Sequence, residues 1–194
     1  MPTDDELADA LAAARAGDER GLTVLWRALH PAVLRYLRVV AGDAAEDAAS
    51  ETWLQVARDL DRFTGDPAAF RGWLFRIARH RGIDELRRAG RRREDPADPV
   101  DDGPAAPDAA AEAIEGAETS WALSRVAALP KDQAEAVMLR VMAGLDVAET
   151  ARVLGKRRGA VRIATMRGLR RLAADPEVRD RAPRNFRREI GEEV

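Results

Sequence analysis

Residues 94–118, EDPADPVDDGPAAPDAAAEAIEGAE, cut the chain in two. They hold nine acids and no basic residue, and their first 14 residues contain four Pro and one Gly with almost no large apolar side chain. Such a stretch buries too little apolar surface to offset the entropy of ordering it, and its Pro and Gly interrupt regular structure. It reads as a linker, with the part from Ala109 on compatible with helix. The chain of 194 residues then divides into a first domain over 1–93, a second over 119–173, and a tail over 174–194.

Charge is segregated to match. Residues 70–93 carry nine Arg against Asp84 and Glu85, and residues 151–172 carry eight basic residues and no acid, although the whole chain has a net charge of −2. Residues 1–20 are acidic, with six acids against two Arg. An N-terminus of that sign, without a continuous apolar run, does not resemble a signal peptide, and no segment has the length of a membrane span. A cytoplasmic protein without membrane insertion is expected. With no Cys, and with His30 and His80 as the only histidines, thiolate and His-based metal sites have no ligands, and no cofactor is expected.

The periodicity predicts an all-α fold: two small helical domains joined by the acidic linker. Apolar residues at 22, 25, 26, 29, 33, 36, 37 and 40 follow a 3.6 period, with Pro31 predicting a kink or a break. The period repeats at Ala49, Trp53, Val56, Leu60 and Phe63. From Phe70, Trp73, Leu74 and Ile77 the apolar face drifts to Ile83 and Leu86, so that helix bends at Gly82 or is contacted on two sides.

The second domain carries a helix-turn-helix spacing. Helix 131–143, with Val137, Met138, Val141 and Met142 inward, stops at Gly144. Asp146 and Glu149 form a capping pair for the short helix VAETARVL, Gly155 supplies the turn, and a longer helix follows from about Arg158 to Ala173. Val161, Leu169 and Leu172 are its expected buried face, and Arg158, Arg162, Ile163, Met166, Arg167 and Arg170 its exposed one. Arg beside exposed Ile and Met suits a major groove, where guanine edges and thymine methyls are read. A solvated Arg face is the plainer alternative; eight basic residues without an acid weigh against it.

Three stretches in order then resemble a known family. AEDAASETWLQVARDLDRF, FRGWLFRIARHRGIDELRRAGRRR and ALSRVAALPKDQAEAVMLRVMAGLDVAETARVLG…GLRRL are similar to regions 2.2, 2.3–2.4 and 4 of the extracytoplasmic-function (ECF) sigma factors, small two-domain bacterial RNA polymerase sigma factors. The resemblance implies a protein that binds core RNA polymerase, through its β′ and β subunits, and directs promoter recognition, melting and initiation. It places polymerase contact at Asp47, Ser50 and Glu51, with Ser50 standing where many members have Gln. On charge alone these would be a solvated acidic face.

The resemblance also places minus-ten promoter DNA on the first domain. Arg76, Arg79, Arg87 and Arg88 are the expected contacts, while spacing favours Phe70 and Trp73 as core, leaving the loop Thr64–Ala69 to form the base pocket. Minus-thirty-five contact falls to Lys156, Arg157, Arg158, Arg162, Ile163, Met166, Arg167 and Arg170. In GKRRG the small capping residue common in the family is replaced by Arg157, which costs helix stability of ~1 kcal/mol and adds phosphate attraction. An anti-sigma factor is a further implied partner. The linker would mimic RNA in the polymerase exit path; its 25 residues span at most about 80–90 Å, enough for promoter elements ~50 Å apart. A stand-alone helix-turn-helix regulator is the alternative, although 1–93 shows no effector pocket or dimer motif. An enzyme is not expected, since nucleotide-binding and metal-ligand motifs are missing.

Overall fold

The computed structural model describes residues 3–94 and 116–181, so most of the acidic segment and the tail beyond Arg181 lie outside it. All regular elements among the described residues are helices. The first domain comprises α1 (Asp4–Arg15), α2 (Glu19–Ala41), α3 (Ala45–Asp59) and α4 (Pro67–Glu94), with 3-10 turns at Gly42–Ala44 and Leu60–Arg62. The second comprises α5 (Ala117–Ala127), α6 (Lys131–Val137), α7 (Val147–Leu154), α8 (Arg158–Ala174) and the short α9 (Pro176–Arg181).

Helix α1 starts on a reciprocal cap. The Glu6 amide donates to Thr3 Oγ1 at 3.2 Å and the Thr3 amide donates to Glu6 Oε2 at 2.8 Å, satisfying two otherwise orphan N–H groups. Helix α2 runs unbroken through the exposed Pro31. It buries Leu25, Leu29, Val33, Tyr36, Leu37 and Val40 along one face; each such large side chain contributes about 1.5–3 kcal/mol. Trp26, expected on that face, is 38% exposed. Alanines 45, 48 and 49 let α3 approach closely, followed inward by Trp53, Val56, Leu60 and Phe63.

The drift along α4 has a steric cause. Its first half buries Phe70, Leu74, Phe75, Ile77 and Ala78, and at Gly82 a Cβ would come 2.8 Å from Leu37 Cδ2 of α2. Helices α2 and α3 both pack on α4, and α7 packs on it as well. It is contacted on more than one side and needs no break at Gly82.

In the second domain one expected helix is corrected. The α-helix from Lys131 ends at Val137 and continues as a π-helical turn, Met138–Met142, closed by the Ala143 amide donating to the Met138 carbonyl at 3.0 Å. The wider turn rotates the register. Leu139 becomes fully buried while Val141, expected inward, is 57% exposed.

The helix-turn-helix forms as its spacing predicts. Asp146 and Glu149 make a complete capping box on α7, and Gly155 ends that helix in the left-handed region at φ 64° and ψ 34°. On α8, Val161 and Gly168 are buried and Leu172 is half-buried. Leu169, expected inward, is 44% exposed, because α8 crosses α6 at Gly168, one residue round the helix. Helix α9 holds the start of the tail against α5: the Arg181 guanidinium lies 4.4 Å from the Trp121 ring centroid, and Arg125 pairs with Glu177 at 3.3 Å.

The domains pack on one another, α5 and α6 against α2, and α7 against α4. Their buried apolar residues form one continuous cluster.

Candidate nucleic-acid and polymerase interfaces

Helix α8 presents the cationic face expected at the minus-thirty-five element to solvent. Arg158, Arg162, Arg167 and Arg170 are exposed, with Ile163 48% and Met166 43% exposed between them. Leu169 extends that apolar strip, which its reading as core concealed. At the start of α8, Arg157 occupies the N-cap position with extended backbone and makes no side-chain cap bond. Lys156 is half-buried and ion-paired with Asp132 of α6, which ties it to its own domain rather than leaving it clear for phosphate.

The four arginines expected at the minus-ten element are not equivalent. At about 100° per residue, Arg76, Arg79 and Arg87 share a sector of about 80° on α4, while Arg88 lies about 120° from Arg76. Arg88 donates to the buried Glu85 at 2.5 Å, and Arg87 is 3.8 Å from Asp84. Arg76 is exposed and lines a cavity of 350 Å³ together with Thr64 and Ala69 of the expected base pocket. Phe63 and Trp73 also line it, with ring centroids 5.1 Å apart. Phe70 is core, 1% exposed, whereas Trp73 is half-buried and reaches the cavity wall.

Arg79 instead faces the second domain. Its Nε donates to Glu135 Oε2 of α6 at 2.6 Å, and the Tyr36 hydroxyl approaches the same oxygen at 3.4 Å. Burial opposes the charge on Arg79, yet the hydrogen bond and charge of Glu135 outweigh it and raise its pKa. Burial first, and the Glu135 charge next, push the Tyr36 phenol well above its ordinary range. The sequence reading missed Glu135; a single acid amid the apolar run AEAVML was the available signal.

On α3, Asp47 and Ser50 are exposed and Glu51 is half-buried, so the expected polymerase-contact residues share one surface. Leu54, 50% exposed and one turn beyond Ser50, adds an apolar member that the acidic reading left out. Gln55 lies beside this face, accepting from Arg81 Nη2 at 2.8 Å and so fixing α3 to α4. Among the described residues no cluster of His, Asp and Glu is arranged to hold a metal, and no helix is long and apolar enough to cross a membrane.

The described residues thus form two helical domains, the second a helix-turn-helix with a cationic outer face. Residues 25–92 match the family model of sigma-70 region 2, and residues 120–172 that of sigma-70 region 4. The chain is 36% identical over 169 residues to the ECF RNA polymerase sigma factor ShbA of Streptomyces griseus subsp. griseus, covering 81% of this chain and 88% of that one. It is also 36% identical over 181 residues to the ECF RNA polymerase sigma factor SigD of Mycobacterium tuberculosis, covering 89% and 85%. Among solved structures, CnrH in complex with the cytosolic domain of CnrY shares the fold at a TM-score of 0.60 and 24% identity, over 87% of this chain and 96% of that chain. The sigma factor RpoE in complex with the anti-sigma factor NepR from Bartonella quintana does so at 0.59 and 20%, over 83% and 98%. The chain belongs to the ECF RNA polymerase sigma factors, which direct transcription initiation.

Proposed function

We propose that this sigma factor docks on the polymerase β′ subunit, with β as a further contact, through the α3 face of Asp47, Ser50, Glu51 and Leu54. The first domain, 1–93, captures the melted minus-ten strand with the segment Thr64–Ala69, a short loop running into the first turn of α4, and with Trp73, Arg76 and Arg79, while Arg87 and Arg88 track backbone. The second, 119–173, reads the minus-thirty-five element with α8 in the major groove. Arg162, Ile163 and Met166 face the bases, and Arg157, Arg158, Arg167 and Arg170 hold phosphate. The segment 94–118 joins them through the exit path. The protein supplies recognition and melting and carries no chemical step, and it works in the cytoplasm. The solved relatives described with anti-sigma partners support such a partner here.

The observation that carries this reading is the outer face of α8: exposed arginines around an exposed Ile–Met pair, on the second helix of a helix-turn-helix. The test is run-off transcription with core polymerase on genomic fragments, with start sites mapped. Promoter-specific transcripts are expected. An Asp47→Lys/Glu51→Lys variant of unchanged helicity should form no holoenzyme. Duplex binding without core, and no stimulated transcription, would instead mark a stand-alone regulator.

A further inference from the structure

Residues 151–172 hold eight basic residues and no acid, yet one of the eight is paired with a carboxylate from outside the helix-turn-helix. The Lys156 ammonium, in the turn between α7 and α8, is held by Asp132 from the first turn of α6. The lysine side chain is 29% exposed and the aspartate 66%. Arg157 and Arg158, next in the chain, are exposed and make no ion pair among the described residues. Lys156 starts from a fixed backbone: its amide donates to the Ala151 carbonyl at 2.9 Å, and Gly155 before it is left-handed. Its ammonium is a point charge on a flexible four-carbon stem, so it can reach a carboxylate or a phosphate from that one anchor.

An acid in the first turn of α6 also suits the helix dipole, and the N-cap Pro130 offers no side-chain bond there. That role fixes the charge and the turn but does not require Lys156 as a partner. Nor does the pair add much to folding, since exposed ion pairs are screened and contribute little. Its weight falls on DNA binding. Each lysine placed on a phosphate releases counterions and steepens log K against log salt by about 0.9, which is about eightfold in affinity at about 0.1 M salt.

We propose that Asp132 is a positioning residue for the promoter grip: it holds the Lys156 ammonium off the minus-thirty-five phosphates and so removes one sequence-independent contact. This rests on the reading of α8 and the turn before it as the minus-thirty-five surface. A phosphate contact strengthens every sequence alike, whereas base contacts separate them. Withholding one lowers occupancy everywhere, and the weakest promoters drop out first. Asp132 thereby narrows the set of promoters that the protein serves, although it touches no base.

The test uses holoenzyme assembled from core polymerase and the full-length chain, on a promoter selected with the parent. Complex formation is measured across a salt series. Asp132→Asn, which keeps shape and removes charge, should tighten binding about five- to tenfold near 0.1 M salt and steepen the salt slope by about 0.9, with base preferences unchanged. In a Lys156→Gln background the same change should gain less than about twofold and leave the slope as it was. A loss of the helix-dipole contribution would lower the unfolding midpoint of Asp132→Asn without steepening the slope. No gain from Asp132→Asn overturns the proposal. A gain that persists in the Lys156→Gln background shows that Asp132 repels DNA by its own charge and overturns the role of the pair. Arg170→Ala in the same series separately tests the surface: an unchanged slope there would overturn the minus-thirty-five reading itself.

Discussion

Gly168 of α8 lies so close to Val137 of α6 that a Cβ on it would stand 2.7 Å from the valine Cγ2. The Gln133 carbonyl, at 3.3 Å, walls the same spot with backbone that does not yield. Gly159, nine residues earlier on α8, has nothing within 4 Å of its Cβ position. Alanine gains about 0.5–1 kcal/mol over glycine in a helix, and overpacking costs about 1–3 kcal/mol. Gly159→Ala should therefore stabilise the protein and Gly168→Ala destabilise it. Urea unfolding of both variants checks this; equal stabilisation would mean that α8 shifts freely on α6 and that the crossing does not set its position.

His30 gives the fold a pH dependence. Its ring stacks on Trp26 one turn away, with centroids 4.7 Å apart, and its buried Nδ1 has no hydrogen-bond partner. Burial first, and the Arg38 charge second, lower its pKa from the ordinary 6.5, with Glu46 opposing. The folded state then resists a proton that the unfolded chain accepts. Its contribution is present above pH 6.5 and is lost as pH falls through the lowered folded value. Denaturation midpoints between pH 7 and 5 should decline in the parent and decline less in His30→Gln. Parallel declines would place the titration elsewhere.

Readings that needed only local pattern survived folding. The Asp146–Glu149 capping box, the left-handed Gly155 and the inward faces of α2 and α3 each depend on residues within one or two turns. Errors arose where register or neighbours decide. The π turn at Met138–Met142 displaced Val141 outward, and no α-helical period anticipates an extra residue per turn. Leu169 lost its core position to Gly168 because close helix approach selects the smallest side chain. Trp26 lies at the edge of the core, 38% exposed and stacked on His30. Among candidate site residues, exposure on α3 and α8 was legible from charge and spacing. The partnership of Arg79 with Glu135, 56 positions away, was not.

The missing cap at Arg157 predicts opposed effects on stability and binding. Arg157 has the extended backbone of an N-cap, φ −73° and ψ 145°, without the side-chain acceptor. Serine at that position bonds an orphan N–H of the first turn and is worth ~1 kcal/mol. Arg157→Ser should raise the unfolding midpoint while reducing promoter affinity, with a shallower salt dependence from one lost phosphate contact. A variant both more stable and equally tight would show that Arg157 makes no contribution on DNA.

Sequence reading by α8 is separable from anchoring. Arg162 and Ile163 lie in the N-terminal half of the helix, the part that enters the major groove in helix-turn-helix proteins, and Met166 at its midpoint, whereas Arg170 lies about two turns beyond Arg162. All four are exposed. An Arg paired with guanine is worth ~1–3 kcal/mol of discrimination, and an Arg on phosphate contributes equally to every sequence. Arg162→Ala should therefore relax base preference at one or two minus-thirty-five positions. Arg170→Ala should weaken all promoters alike and lower the salt slope by about 0.9. A randomised upstream element, transcribed by each holoenzyme and sequenced, distinguishes the two. If Arg162→Ala kept the parent's preferences and lost activity uniformly, the reading face would have to turn toward the Met166–Leu169 edge of the helix, where the exposed apolar side chains continue.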